Sequence, residues 1–144
     1  METKLPETLQ DYFNIAWEHA IVKQSSPSFI IDSNGSYICV YRNSSGNRCL
    51  IGAAIPDDRY ISGIEGKAST DVLPMLGLVS PMYIDQLQNC HDDVARQPKT
   101  QYLVKVKKKL IVFAYRYFLT IPGMSLFERT EAAREILDEI QQEQ

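Results

Sequence analysis

Apolar residues open the chain at three- and four-residue steps: Leu9, Phe13, Ala16, Trp17, Ala20 and Ile21. That spacing predicts a helix over 6–23 with one apolar stripe. Pro6 suits its first turn, Glu7 suits its positive end, and Ser25-Ser26-Pro27-Ser28 stops it. The period then shortens to two. Phe29-Ile30-Ile31 is a short β-branched run, Ser33-Asn34-Gly35 is a hairpin signal, and Tyr37 to Tyr41 is a second strand. On that strand Tyr37, Cys39 and Tyr41 share one face, and Ile38 and Val40 the other. Asn43-Ser44-Ser45-Gly46-Asn47 is a second turn, after which Arg48 to Ile51 would pair back.

Gly52-Ala53-Ala54 has no bulk and suits close approach to another backbone. Pro56 pushes Ile55 away from helical angles, and Pro56-Asp57-Asp58 could open a helical turn. Thr70-Asp71 starts a short segment carrying Val72, Leu73, Met75 and Leu76. Ser80-Pro81 reads as the start of a helix over about 81–95, with Met82, Ile84, Leu87, Cys90 or His91, and Val94 inward and Pro98 as its stop.

The longest periodic run covers 101–120, with Leu103, Val106, Leu110, Phe113, Ala114 and Tyr117. Ile121-Pro122-Gly123 breaks it, and Ser125 with Glu128 forms a capping box. A last helix over about 126–142 would turn Leu126, Ala133, Ile136, Leu137 and Ile140 inward. Together these elements predict an α+β fold. It is a mainly helical single domain, residues 1–144, with a small antiparallel hairpin or meander (about residues 29–51) packed on three to four helices.

Composition narrows the function classes. At 144 residues the chain can bury a core without staples. The net charge of −3 excludes a nucleic-acid partner held by bulk charge, though not a local basic patch. Three cysteines, an odd number in a chain of this size, read as reduced thiols in a cytoplasm. No apolar run reaches the length of a membrane span, and METKLPETLQDYF lacks the layout of a signal peptide.

The central stretch carries a longer pattern: Tyr41-Arg42, Gly46, Cys49, Ile51-Gly52, Ile55-Pro56-Asp57, Tyr60 and Glu65-Gly66. It resembles a family of small uncharacterised proteins from bacteriophages and bacterial genomes. Trp17 to Gln24 is similar to the helix that precedes this motif there. Leu87 to Asp92 is similar to a later L-Q-x2-H-D, and Phe113-Ala114 with Tyr117 to the next helix. The resemblance covers roughly residues 9–120, and the last helix, from Ser125 on, departs from it. It implies an origin in a bacterial or phage-infected cytoplasm.

Candidate chemistry is incomplete at each place it occurs. Cys49 or Cys90 with His91 and Asp92 is the raw material of a small hydrolase or thiol enzyme, since a thiolate beside His and Asp is a nucleophile. The same residues with Cys39, Asp93 and His19 could converge on zinc, but no CxxC or HxxxH occurs. The competing reading is buried structural thiols and a histidine that bridges its helix to the meander. Asp57, Asp58 and Glu65 lack a calcium-loop frame; Glu65 is expected to tie its loop to Arg42, Arg48 or a backbone amide, with an Arg42–Glu65 ion pair the first choice. No phosphate-binding glycine loop occurs, so neither a cofactor nor a metal is expected.

The strongest electrostatic feature is the helix over 99–116, with Lys99, Lys105, Lys107, Lys108, Lys109 and Arg116 and no acid. The segment after it is acidic, so the two helices could pack antiparallel and neutralise each other. Lys105, Lys107, Lys108, Lys109, Tyr115 and Arg116 are the candidate partner-binding residues. The leading expectation is a small cytoplasmic accessory protein of phage type that binds and modulates a host protein. A homodimer is a further use of these helices. Weak nucleic-acid binding through 99–116 is an alternative, and a membrane is not expected.

Overall fold

The computed structural model describes residues 4–143. Residues 1–3 and 144, the ends of the expected single domain, lie outside the described residues. The chain is mainly helical with one small antiparallel sheet, as the periodicities require. Helix α1 spans Leu9–Trp17, and strands β1 and β2 span Phe29–Ile31 and Tyr37–Cys39. Helices α2, α3, α4 and α5 follow at Ser69–Met75, Ile84–Asp92, Lys99–Arg116 and Leu126–Gln142. Among the described residues no helix is long and apolar enough to cross a membrane.

The first helix starts later than Pro6 suggests. Thr8 is its N-cap, and the Thr8 side chain and Asp11 cap each other's backbone amides. The backbone hydrogen bonds hold the Asp11 carboxyl below its usual range. After Trp17 the helix widens into a π-helical turn, Glu18–Val22, and closes on Gln24 at φ 51°.

The expected meander is reduced to a hairpin. Phe29, Ile30 and Ile31 pair with Cys39, Ile38 and Tyr37. The return strand over 48–51 is a single bridge, Arg42 to Arg48. The reason is local: past Cys49 the chain tightens into a 3-10 turn, Gly52–Ala54, pressed against β2's continuation. A Cβ at Gly52 would stand 2.1 Å from the Tyr41 carbonyl oxygen, so the close approach expected at this glycine is real. The turns Asp32–Ser36 and Asn43–Asn47 share one design. In each, the first residue's side-chain oxygen accepts two backbone amides, and a glycine at positive φ closes the turn.

Helix α3 is shorter than the 81–95 expectation. Its N-cap is Tyr83 at φ 71°, with no side-chain cap, so Ser80 does not cap it and Met82 faces solvent. Leu126 and Ile140 of α5 are likewise exposed rather than inward, while Ala133 and Ile136 are buried. The Ser125–Glu128 capping box is present.

Helix α4 is the axis of the core and packs against α3, α5 and the π-helical turn. Phe113 of α4 lies 6.3 Å from the Phe13 ring of α1, and Tyr102, Val106 and Leu110 are sealed. Each such side chain stabilises the fold by about 1.5–3 kcal/mol. At the far end Leu119 donates its amide to the Ala114 carbonyl, and its own carbonyl accepts from Arg129 of α5 at 2.7 Å. The Gln10 side chain donates to and accepts from the Thr120 backbone, which ties α1 to the same corner.

Candidate functional site

Of the sequence's Cys, His and Asp candidates, the fold brings Cys39, His91 and Asp92 together. Helix α3 presents His91 on its buried face, and β2 delivers Cys39 beside its C-terminal end. The Cys39 thiol, a His91 nitrogen and an Asp92 oxygen all lie within 4.8 Å of one another. The His91 ring is fully buried and bridges the hairpin to the helix, as the structural reading of the sequence expects. The Ser28 N–H donates to His91 Nε2 at 2.9 Å, and His91 Nδ1 lies 2.8 Å from Asp92 Oδ1. An amide N–H can only donate, so Nε2 is the bare nitrogen and Nδ1–H donates to Asp92. Gln88 Nε2 also donates to Asp92 Oδ1, while Gln88 Oε1 accepts from the Ile51 N–H. The network therefore runs from Ser28 through His91, Asp92 and Gln88 to Ile51.

That arrangement weighs against nucleophilic and metal chemistry. A metal on Nδ1 would force the ring proton to Nε2, where it would meet the Ser28 N–H donor to donor. Cys49 is sealed and accepts from the Gly52 N–H; it shares no hydrogen bond with His91. Cys90 donates to the Gln86 carbonyl within its own helix. Burial pushes all three thiols up to about 12, with Asp92 adding to the effect at Cys39. A thiol so raised presents almost no thiolate at neutral pH.

The acidic loop residues are structural anchors: Glu65 takes backbone amides, one of its expected anchors, and the Arg42 ion pair goes to Asp57 instead. Glu65 accepts the Tyr41 and Arg42 backbone amides and the Tyr60 hydroxyl. The Arg42 guanidinium instead pairs with Asp57 at 3.0 Å, donates to the Ile55 carbonyl and lies over the Tyr60 ring. Arg48 joins Asp57 at 2.8 Å. Glu65 is drawn to the backbone because the chain turns out of β2 there and leaves two amides unpaired.

Two concave surfaces lie apart from the Cys39–His91–Asp92 junction, and a third, of about 430 Å³, opens beside it, lined by Cys39, Tyr41, Ser69, Asp85, Gln88 and Asp92. The larger of the first two, of about 670 Å³, lies between the π-helical turn and the Gly46–Arg48 turn. His19 sits there, donating Nε2–H to the Arg48 carbonyl at 2.8 Å, with its pKa lowered by burial. No signal in the sequence marks the π-helical turn. Ile15 and Ala53 are the cleft's apolar lining, and Arg48 is already held by Asp57.

The second surface is a groove of about 470 Å³ along α4, walled by α3 and α5. Its floor includes Cys90, Val112, Ile136, Leu137 and Ile140. Four of the six candidate partner-binding residues line it: Lys105, Lys108, Lys109 and Arg116. Lys107 is exposed outside it, and Tyr115 packs against the core instead. The expected mutual neutralisation of α4 and α5 is partial. Lys108 pairs with Glu139 at 3.0 Å, and Lys109 with Asp93 at 3.5 Å. Lys105 and Arg116 have no acid within ion-pair distance among the described residues.

No family model, curated protein or solved structure matches this chain.

Proposed function

We propose that this protein is a small accessory factor, phage-encoded or phage-like, that binds and modulates a host protein in the bacterial cytoplasm. The observation that carries this reading is the groove along α4, where cations without an intramolecular partner flank an apolar floor. Apolar centre with charged rim is the anatomy of a protein-binding surface. The Tyr41–Gly66 motif supports the same origin, because it resembles phage and bacterial proteins. Within this reading the motif is scaffold: Arg42, Glu65, Gly52 and Cys49 hold the central loops together. The residues outside it, on α4 and α5, do the binding.

Affinity purification of the tagged protein from bacterial lysate, read by mass spectrometry, tests the proposal. The expected result is one host protein recovered at near-stoichiometric yield. Recovery of nothing beyond what an unrelated bait retains would overturn it.

A further inference from the structure

We infer that the groove between α3, α4 and α5 takes an amphipathic helix of the partner, with acidic residues at both ends of its apolar stripe. This inference rests on the protein-binding reading and names the ligand of that same surface. The floor consists of side chains from packed helices and offers no unpaired backbone. An extended strand binds by backbone pairing, which this surface cannot supply. A helix satisfies its own backbone and needs only a place for its apolar face. Half-buried Leu137 and Ile140, 48% exposed, provide that place above the buried Val112 and Ile136.

The charges set the ligand's ends. Lys108 and Lys109 are held by Glu139 and Asp93, which leaves Lys105 and Arg116 as the groove cations without an acid partner among the described residues. They are separated by about 16 Å along α4 at 1.5 Å per residue. That is about three helical turns, so carboxylates about eleven residues apart on one face of a bound helix would meet both. Glu143 is the one groove acid without a cation among the described residues, and it stands at the end of α5.

The test uses the full-length protein and a fluorescent peptide of about 16 residues. The peptide carries leucines at i, i+3, i+4 and i+7 and glutamates spaced by about three turns. Anisotropy should rise with wild-type protein and fall away as salt is added. A scrambled peptide of the same composition should give no rise. The double reversal Lys105→Glu with Arg116→Glu should weaken binding by about tenfold or more, and Ile140→Glu by about tenfold. All three positions are exposed, and thermal melts identical to wild type would verify that the variants fold.

Peptide binding that ignores these substitutions would overturn the inference, as would no binding at all. Preference for a long-chain carboxylate with the peptide silent would overturn it too. The lysate experiment separates the two levels. Full recovery of the host protein by a variant combining Lys105→Glu, Arg116→Glu and Ile140→Glu would overturn the groove assignment and leave the protein-binding reading standing.

Discussion

The junction between the hairpin and α3 and the groove along α4 hold different side chains, and they differ as much in how far those side chains are already satisfied. At the junction a thiol, an imidazole and a carboxylate meet within 4.8 Å, yet each polar hydrogen there has a protein acceptor. Along the groove the residues are ordinary lysines, an arginine and aliphatics, yet among the described residues Lys105 and Arg116 have no acid partner and Ile140 is exposed. Reactive residue types therefore sit in a completed hydrogen-bond network, although a concave surface opens beside Cys39 and Asp92. What separates the two regions is unused binding capacity, which sequence spacing does not report.

The sharpest way to break this comparison is His91→Ala. If His91 is a strut, its loss strands the Ser28 N–H and leaves a void in the core. Urea unfolding should then show a stability loss of about 3–5 kcal/mol. A loss under about 1 kcal/mol would mean that the ring is replaceable and held for another reason.

Gly52→Ala comes next. Its Cβ would collide with the Tyr41 carbonyl, and repacking should cost about 2–3 kcal/mol by the same measurement. A neutral result would show that the central loop yields, and would weaken the view of the Tyr41–Gly66 motif as rigid scaffold.

His19 gives a smaller, pH-dependent effect. Burial lowers its folded pKa below the ordinary 6.5, so the unfolded chain binds the proton more tightly. Its contribution to stability is complete above 6.5 and declines as pH falls from there through the folded value. Urea midpoints measured at pH 7, 6 and 5 should fall, and His19→Gln should flatten that slope. An unchanged slope would show that the imidazole does not titrate in this window.

The smallest expected change lies on the open side. Lys105→Glu with Arg116→Glu should alter stability by less than about 0.5 kcal/mol, because both residues are exposed and neither has an acid partner among the described residues. A larger loss would place these cations in the fold's own framework and remove the contrast between the two regions.

Much of the architecture was legible beforehand. The periodicity of Leu9 to Ile21 and of Leu103 to Tyr117 located α1 and α4, and Ser125 with Glu128 fixed the start of α5. The role of His91 as a bridge was also legible, since a lone histidine among apolar helix positions is more often satisfied than reactive. Misreadings came where tertiary contacts override local signals. Ser80-Pro81 resembles a helix start, but Tyr83 takes a left-handed conformation, and α3 begins after it. Arg48 to Ile51 has strand character, but Gly52 packs on Tyr41 and turns the chain away. The Arg42–Glu65 pair failed because backbone amides competed for the carboxylate. The groove could not be read from the chain, because its walls come from three helices and its free charges depend on which lysines find acids.

Amide hydrogen exchange of this protein, alone and with the host protein it retains, tests the central claim most directly. The account predicts new protection concentrated in 105–116 of α4 and 136–142 of α5, with the hairpin and the His91 region unchanged. Protection confined to the hairpin, the His91 junction or the cleft at His19 would contradict it.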